Sequence, residues 1–142
     1  GASSVNVPEE QIQAMWQFGE FVGTAFQIKD DLFDYERSNA TGKPNGTDIR
    51  DQKMTLPLIY LMNHADFLEK RWIINTVKNH HNDAALVSKL IEKVVERGGI
   101  AYAREQMLDY RRKSLGILQT FPDNTYRKSL EQLVLFTTER TT

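Results

Sequence analysis

Three aspartates, Asp30, Asp31 and Asp34, stand at i, i+1 and i+4 in a stretch whose upstream half, Val22 to Ile28, reads as helix. On a helix, i and i+4 lie one above the other, and i+1 and i+4 are near neighbours. Gln27 precedes the first two acids by three and four residues, so it joins the same stripe. Like charges packed this closely destabilise a helix, most of all near its C-terminal end, where the macrodipole is already negative. A compensating cation is expected. No His or Cys lies nearby, so every candidate ligand atom is oxygen. That donor set points to Mg²⁺, a hard ion held by one or two carboxylates plus substrate phosphates.

The chain around this motif predicts an all-α fold. Pro8-Glu9-Glu10 opens a helix, with proline in the first turn and acids at the positive end. Met15, Phe18, Val22, Phe26 and Phe33 mark one apolar face at about 3.6-residue spacing. The first helix is expected from residue 9 to about residue 36, within a segment 1–36. Residues 37–53 form the one long break, rich in Gly, Pro and Asn. A loop of that length in a compact domain is more often a binding loop or lid than an idle connector. Segment 54–142 returns to helix: an apolar run from Met54 to Met62, amphipathic stretches 66–79 and 83–97 opened by acidic caps, a Gly98-Gly99 turn, a long helix 100–121, and a last one at 125–138. All three segments read as parts of one domain, an antiparallel helical bundle. The charges at Arg104, Glu105, Arg111, Arg112 and Lys113 read as solvated helix surface.

The break carries its own chemistry. Lys43, Asp48 and Lys53 stand around Gly42 and Gly46, in the segment that leaves the acidic helix. This set suits a diphosphate. Mg²⁺ bridges carboxylate and phosphate oxygens, lysine supplies a point charge to the remaining ones, and glycine lets backbone approach the ligand. Each element alone has a plainer explanation: the three acids as a solvated helix end, Lys43 and Lys53 as ordinary loop lysines, Asp48 as a turn cap, Gln27 as a satisfied core amide. Their joint occurrence between residues 27 and 53 is hard to attribute to solvated surface.

Composition narrows the classes further. The 142 residues carry 18 basic and 19 acidic side chains, a net charge of −1, which leaves no electrostatic footprint for nucleic acid. Hydrophobic residues make up 40%, enough for a core. Cysteine is absent, so neither disulfides nor thiolate chemistry are available, in keeping with a reducing cytoplasm. No apolar run approaches the ~18 residues needed to cross a bilayer, so no transmembrane segment is expected. The N-terminus has neither the basic start nor the apolar centre of a signal peptide.

Taken together, Phe26-Gln27-Ile28-Lys29-Asp30-Asp31-Leu32-Phe33-Asp34-Tyr35, Thr41-Gly42-Lys43, Gly46-Thr47-Asp48-Ile49 and Lys53-Met54-Thr55-Leu56-Pro57 resemble the second aspartate-rich region of the trans-isoprenyl diphosphate synthases, the polyprenyl synthetase family. Gly98-Gly99-Ile100-Ala101-Tyr102-Ala103-Arg104 resembles a helix start of the same family. The resemblance implies an all-α enzyme with two facing aspartate-rich motifs. These hold three Mg²⁺ ions on an allylic diphosphate, which ionises and condenses with isopentenyl diphosphate. It implies that Asp30, Asp31, Asp34 and Asp48 serve the metal, with Asp30 a direct ligand, Asp31 and Asp34 binding directly or through water, and Asp48 orienting a metal-bound water. Lys43 and Lys53 would contact the leaving diphosphate. Phe26 and Gln27 would line the cavity near the reacting carbons, with Gln27 joining Lys43 and Lys53 as a catalytic residue by steering a lysine or the diphosphate. Family members are usually homodimers, so a homodimer is expected.

One departure bears on activity. The family's first acidic motif has no counterpart here: upstream of Asp30 the acids are Glu9, Glu10 and Glu20. The chain resembles the C-terminal half of such an enzyme, and it is expected to be inactive alone. The chief alternative is a non-catalytic helical partner subunit of a prenyl synthase. A helical interaction module with a surface acid patch is a third reading, and it predicts no metal response.

Overall fold

A computed structural model describes residues 8–41 and 52–139. Among these residues the chain is helical, with six helices: α1 (Glu9–Thr41), α2 (Leu56–Asn63), α3 (Phe67–Asn79), α4 (Ala84–Glu96), α5 (Gly99–Leu118) and α6 (Thr125–Glu139). They fall into two compact units. One is built from the described residues of Gly1–Gln27 and Met107–Thr141, the other from Ile28–Gln106.

Local chemistry sets the helix ends in the second unit. Pro57 sits in the first turn of α2, where its missing N–H has no partner to lose. The Asp66 carboxylate caps α3 by accepting from the Glu69 amide at 2.8 Å. Asp83 caps α4 by accepting from the Ala85 and Leu86 amides. Gly98 ends α4 with φ of +87°, a left-handed conformation that favours glycine. Gly99 then opens α5 against α2: a Cβ there would stand 2.7 Å from the Pro57 carbonyl oxygen.

Helical periodicity explains what this unit buries. Val87, Leu90, Ile91 and Val94 form the i, i+3, i+4, i+7 stripe of α4. They pack with Leu58 and Leu61 of α2, Ile73 and Val77 of α3, and Tyr35 of α1 into one buried cluster. At the periphery Glu69 of α3 joins α4 through Arg97 at 2.8 Å and Lys93 at 3.3 Å. Tyr60 and Tyr102 stack with ring centroids 4.6 Å apart.

The first unit has a smaller buried centre: Phe18 of α1, Leu118 of α5 and Val134 of α6, flanked by Val22, Leu115, Phe121 and Leu130. Arg127 secures the turn between α5 and α6, donating to the Phe121 carbonyl and to Glu131. Arg111 reaches Glu139 at 2.8 Å. Lys113 lies over the rings of Phe21 and Tyr110 while also pairing with Asp109, so part of the expected solvated surface is engaged.

Two expectations about α1 need correction. The helix continues to Thr41, beyond the expected end near residue 36, because the first strong breakers are Gly42 and Pro44. Residues 37–41 of the expected 37–53 loop are therefore helical. The apolar face also differs. Phe18 is buried, but Phe26 and Phe33 are 53% and 37% exposed, and the buried stripe runs through Ala25, Ile28, Leu32 and Tyr35. Large apolar residues at helical spacing drew the expected face, whereas the packed face uses a small alanine and a tyrosine.

Candidate functional site

The acidic motif occupies the C-terminal part of α1. Consecutive helical residues are about 100° apart around the axis, so Asp30 and Asp31 differ in environment. Asp30 is exposed, while Asp31 is buried at 8% exposure on the face of Ile28, Leu32 and Tyr35. Asp34 lies on α1 one turn after Asp30; its side chain, together with Lys43 and Asp48, lies outside the described residues. Phe26 and Gln27 are both exposed, three to five residues ahead of the paired acids on α1.

Tyr35 ties the acidic helix to the far end of the loop segment. Its hydroxyl is 3.0 Å from the Thr55 hydroxyl, in a buried contact that joins residues twenty apart. A buried phenol retains its place by finding such a partner. Tyr35 is one helical turn after Asp31, and a helical side chain leans toward the helix N-terminus. The contact therefore brings the Thr55 segment back toward the turn that carries the acids. Lys53 is two residues upstream of Thr55 and exposed. Thr55 is extended, with φ −84° and ψ 162°.

Gln52 fixes the same segment from the other side. Its side-chain amide donates to the carbonyls of Lys78 at 3.2 Å and Val77 at 3.4 Å, at the C-terminal end of α3. Those carbonyls lack partners within the helix, so the amide satisfies acceptors that would otherwise need water. Gln52 holds φ of +59°, uncommon for a residue with a side chain. Gln52 and Met54 also line an apolar pocket of about 330 Å³ with Met62, Ile73, Ile74 and Val77. A larger groove of about 1080 Å³, lined by Ile12, Met15, Trp16 and Phe121, contains none of the candidate residues.

The donor set suits a hard cation. Asp30 and Asp31 offer carboxylate oxygen alone, and no His competes. Among the described residues no group of three His, Cys, Asp or Glu side chains could hold a metal. Two carboxylates completed by phosphate oxygens are a common way of holding Mg²⁺. The residues therefore fit a cation bound together with a phosphate ligand.

Tyr35, Thr55 and Gln52 had no assigned role in the sequence reading. A tyrosine directly after the last motif acid was the available signal. Its partner is set by tertiary structure and has no local signature.

Comparison with known proteins agrees with the motifs. The polyprenyl synthetase family matches residues 1–94. Octaprenyl diphosphate synthase of Escherichia coli is 31% identical over 134 residues, covering 94% of this chain and 41% of that protein. The geranylgeranyl pyrophosphate synthase structure from Bacteroides thetaiotaomicron superposes with a TM-score of 0.83 at 34% identity, covering 98% of this chain and 46% of that one. A polyprenyl synthase from Caulobacter crescentus, solved with calcium and isoprenyl diphosphate, superposes with a TM-score of 0.78 at 28% identity, covering 99% and 43%. The chain thus spans less than half the length of these relatives. With the family match extending over well more than half of its residues, this chain belongs to the polyprenyl synthetase family.

Proposed function

We propose that this chain supplies the diphosphate-holding side of a trans-prenyltransferase, which condenses an allylic diphosphate with isopentenyl diphosphate to a longer polyprenyl diphosphate. One observation carries this reading: the Tyr35–Thr55 contact joins the acidic helix to the segment bearing Lys53, so carboxylates and an ammonium group serve one neighbourhood. The Caulobacter crescentus relative, solved with a divalent cation and an isoprenyl diphosphate, supports the ligand class.

Asp30 and Asp31 would hold Mg²⁺, joined by Asp34, with Asp48 orienting a metal-bound water. The bound ion supplies positive charge to the diphosphate as it departs. Lys53 and Lys43 hold the remaining phosphate oxygens as point charges. In the reaction the carbon–oxygen bond to the diphosphate breaks and its electron pair leaves with the phosphate. The isopentenyl double bond then forms the new carbon–carbon bond, and a proton is lost. Phe26 and Gln27 would line the reacting end. The first acidic motif is not among these residues, so the chain alone is expected to be inactive. The reading extends to a homodimer in the cytoplasm. Among the described residues, no helix is long and apolar enough to cross a membrane.

The test is thermal unfolding of this chain with Mg²⁺, pyrophosphate, both or neither. A ligand at 100 times its Kd that binds only the folded state adds about 2.7 kcal/mol. The expected result is a rise in Tm that requires both components and is lost in Asp30→Ala. The absence of any rise would overturn the reading.

A further inference from the structure

We infer that Tyr35 and Thr55 are positioning residues for the diphosphate site: their buried hydroxyl pair holds the Lys53 segment in register with the acidic turn of α1. This rests on the diphosphate reading above.

The two hydroxyls lie 3.0 Å apart, with Tyr35 1% and Thr55 3% exposed, so water does not compete for the contact. The Lys53 segment is also tethered to α3 by Gln52, and that tether sets no distance to the acids. Tyr35 packs into the same buried cluster as Leu58 and Leu61, which fixes its ring independently of its hydroxyl. The hydroxyl is thus not needed to fill space, and it meets the residue two positions from Lys53.

Ligand affinity should register this. A ligand that bridges the acids and Lys53 binds only the population in which both sides stand in register. Apparent Kd rises as that population falls. A net hydrogen bond of ordinary strength corresponds to about a five- to tenfold change in such an equilibrium.

The experiment measures the Kd for pyrophosphate in the presence of Mg²⁺ by calorimetry, alongside the unliganded Tm, on this chain. Tyr35→Phe and Thr55→Val remove one hydroxyl each. Thr55→Ser keeps the hydroxyl. Thr76→Val is the control: it deletes an equally buried hydroxyl in the same unit, one that donates within α3 to the Trp72 carbonyl. The expected result is a five- to tenfold weaker Kd in Tyr35→Phe and Thr55→Val. Affinity should be near wild type in Thr55→Ser and in Thr76→Val, whatever the Tm of Thr76→Val. The double variant Tyr35→Phe/Thr55→Val should lose no more affinity than either single one. Wild-type affinity in both hydroxyl deletions would overturn the inference and leave the diphosphate reading standing. Equal weakening in Thr76→Val would assign the effect to general loss of stability and likewise overturn it. A wild-type chain that binds no pyrophosphate would overturn the diphosphate reading, and the inference with it.

Discussion

The two units of this chain differ in the size of the buried apolar cluster each is built around. Ile28–Gln106 buries one contiguous cluster of nine residues drawn from four helices, with a tyrosine hydroxyl satisfied inside it. The unit built from Gly1–Gln27 and Met107–Thr141 centres on a buried cluster of three, Phe18, Leu118 and Val134. The carboxylates, Lys53 and the residues that hold them belong to the better-packed unit. Preorganised electrostatics requires that arrangement, since charged groups are useful only where the surrounding packing fixes them.

The largest expected effect tests the packed cluster. Leu90 is fully buried, and Leu90→Ala should lower stability by about 2–5 kcal/mol through lost burial and a residual cavity. Urea unfolding would measure it. Val134→Ala in the other unit should cost less, because fewer buried carbons are removed and, beyond Phe18 and Leu118, the surrounding residues are only partly buried. Equal losses would erase the contrast between the units. A mid-sized effect is expected at Gly99→Ala. The new methyl meets the Pro57 carbonyl, a backbone atom that cannot rotate away, so overpacking should cost about 1–3 kcal/mol. A Tm equal to wild type would show that the junction yields. The smallest concerns the exposed face: Trp16 is 78% exposed, and Trp16→Ser should change stability by less than about 0.5 kcal/mol. A larger loss would mean that this face is covered in solution.

The sequence revealed those features whose causes are local. Asp66 and Asp83 read as caps because a short carboxylate before an amphipathic run has few other uses, and both accept the expected amide hydrogen bonds. The Gly98-Gly99 pair read as a turn, and Gly98 adopts the left-handed conformation. The buried face of α1 was less legible. Phe26 and Phe33 carry the strongest apolar signal at helical spacing, yet both are exposed. Ala25, which contributes little to any such pattern, is fully buried. Periodicity reports where apolar residues fall around the axis, not which sector a neighbour covers. The Tyr35–Thr55 contact was illegible for a related reason: twenty residues separate the partners, and only the folded chain brings them together.

Gly99 has an electrical consequence as well as a steric one. Without a side chain there, the beginnings of α2 and α5 sit almost atom against atom, Pro57 beside Gly99. The amide end of every helix carries a partial positive charge. Two such poles are therefore anchored side by side, a few residues along the chain from Lys53. Unlike a charged side chain, these poles belong to the backbone, so no substitution of a side chain removes them.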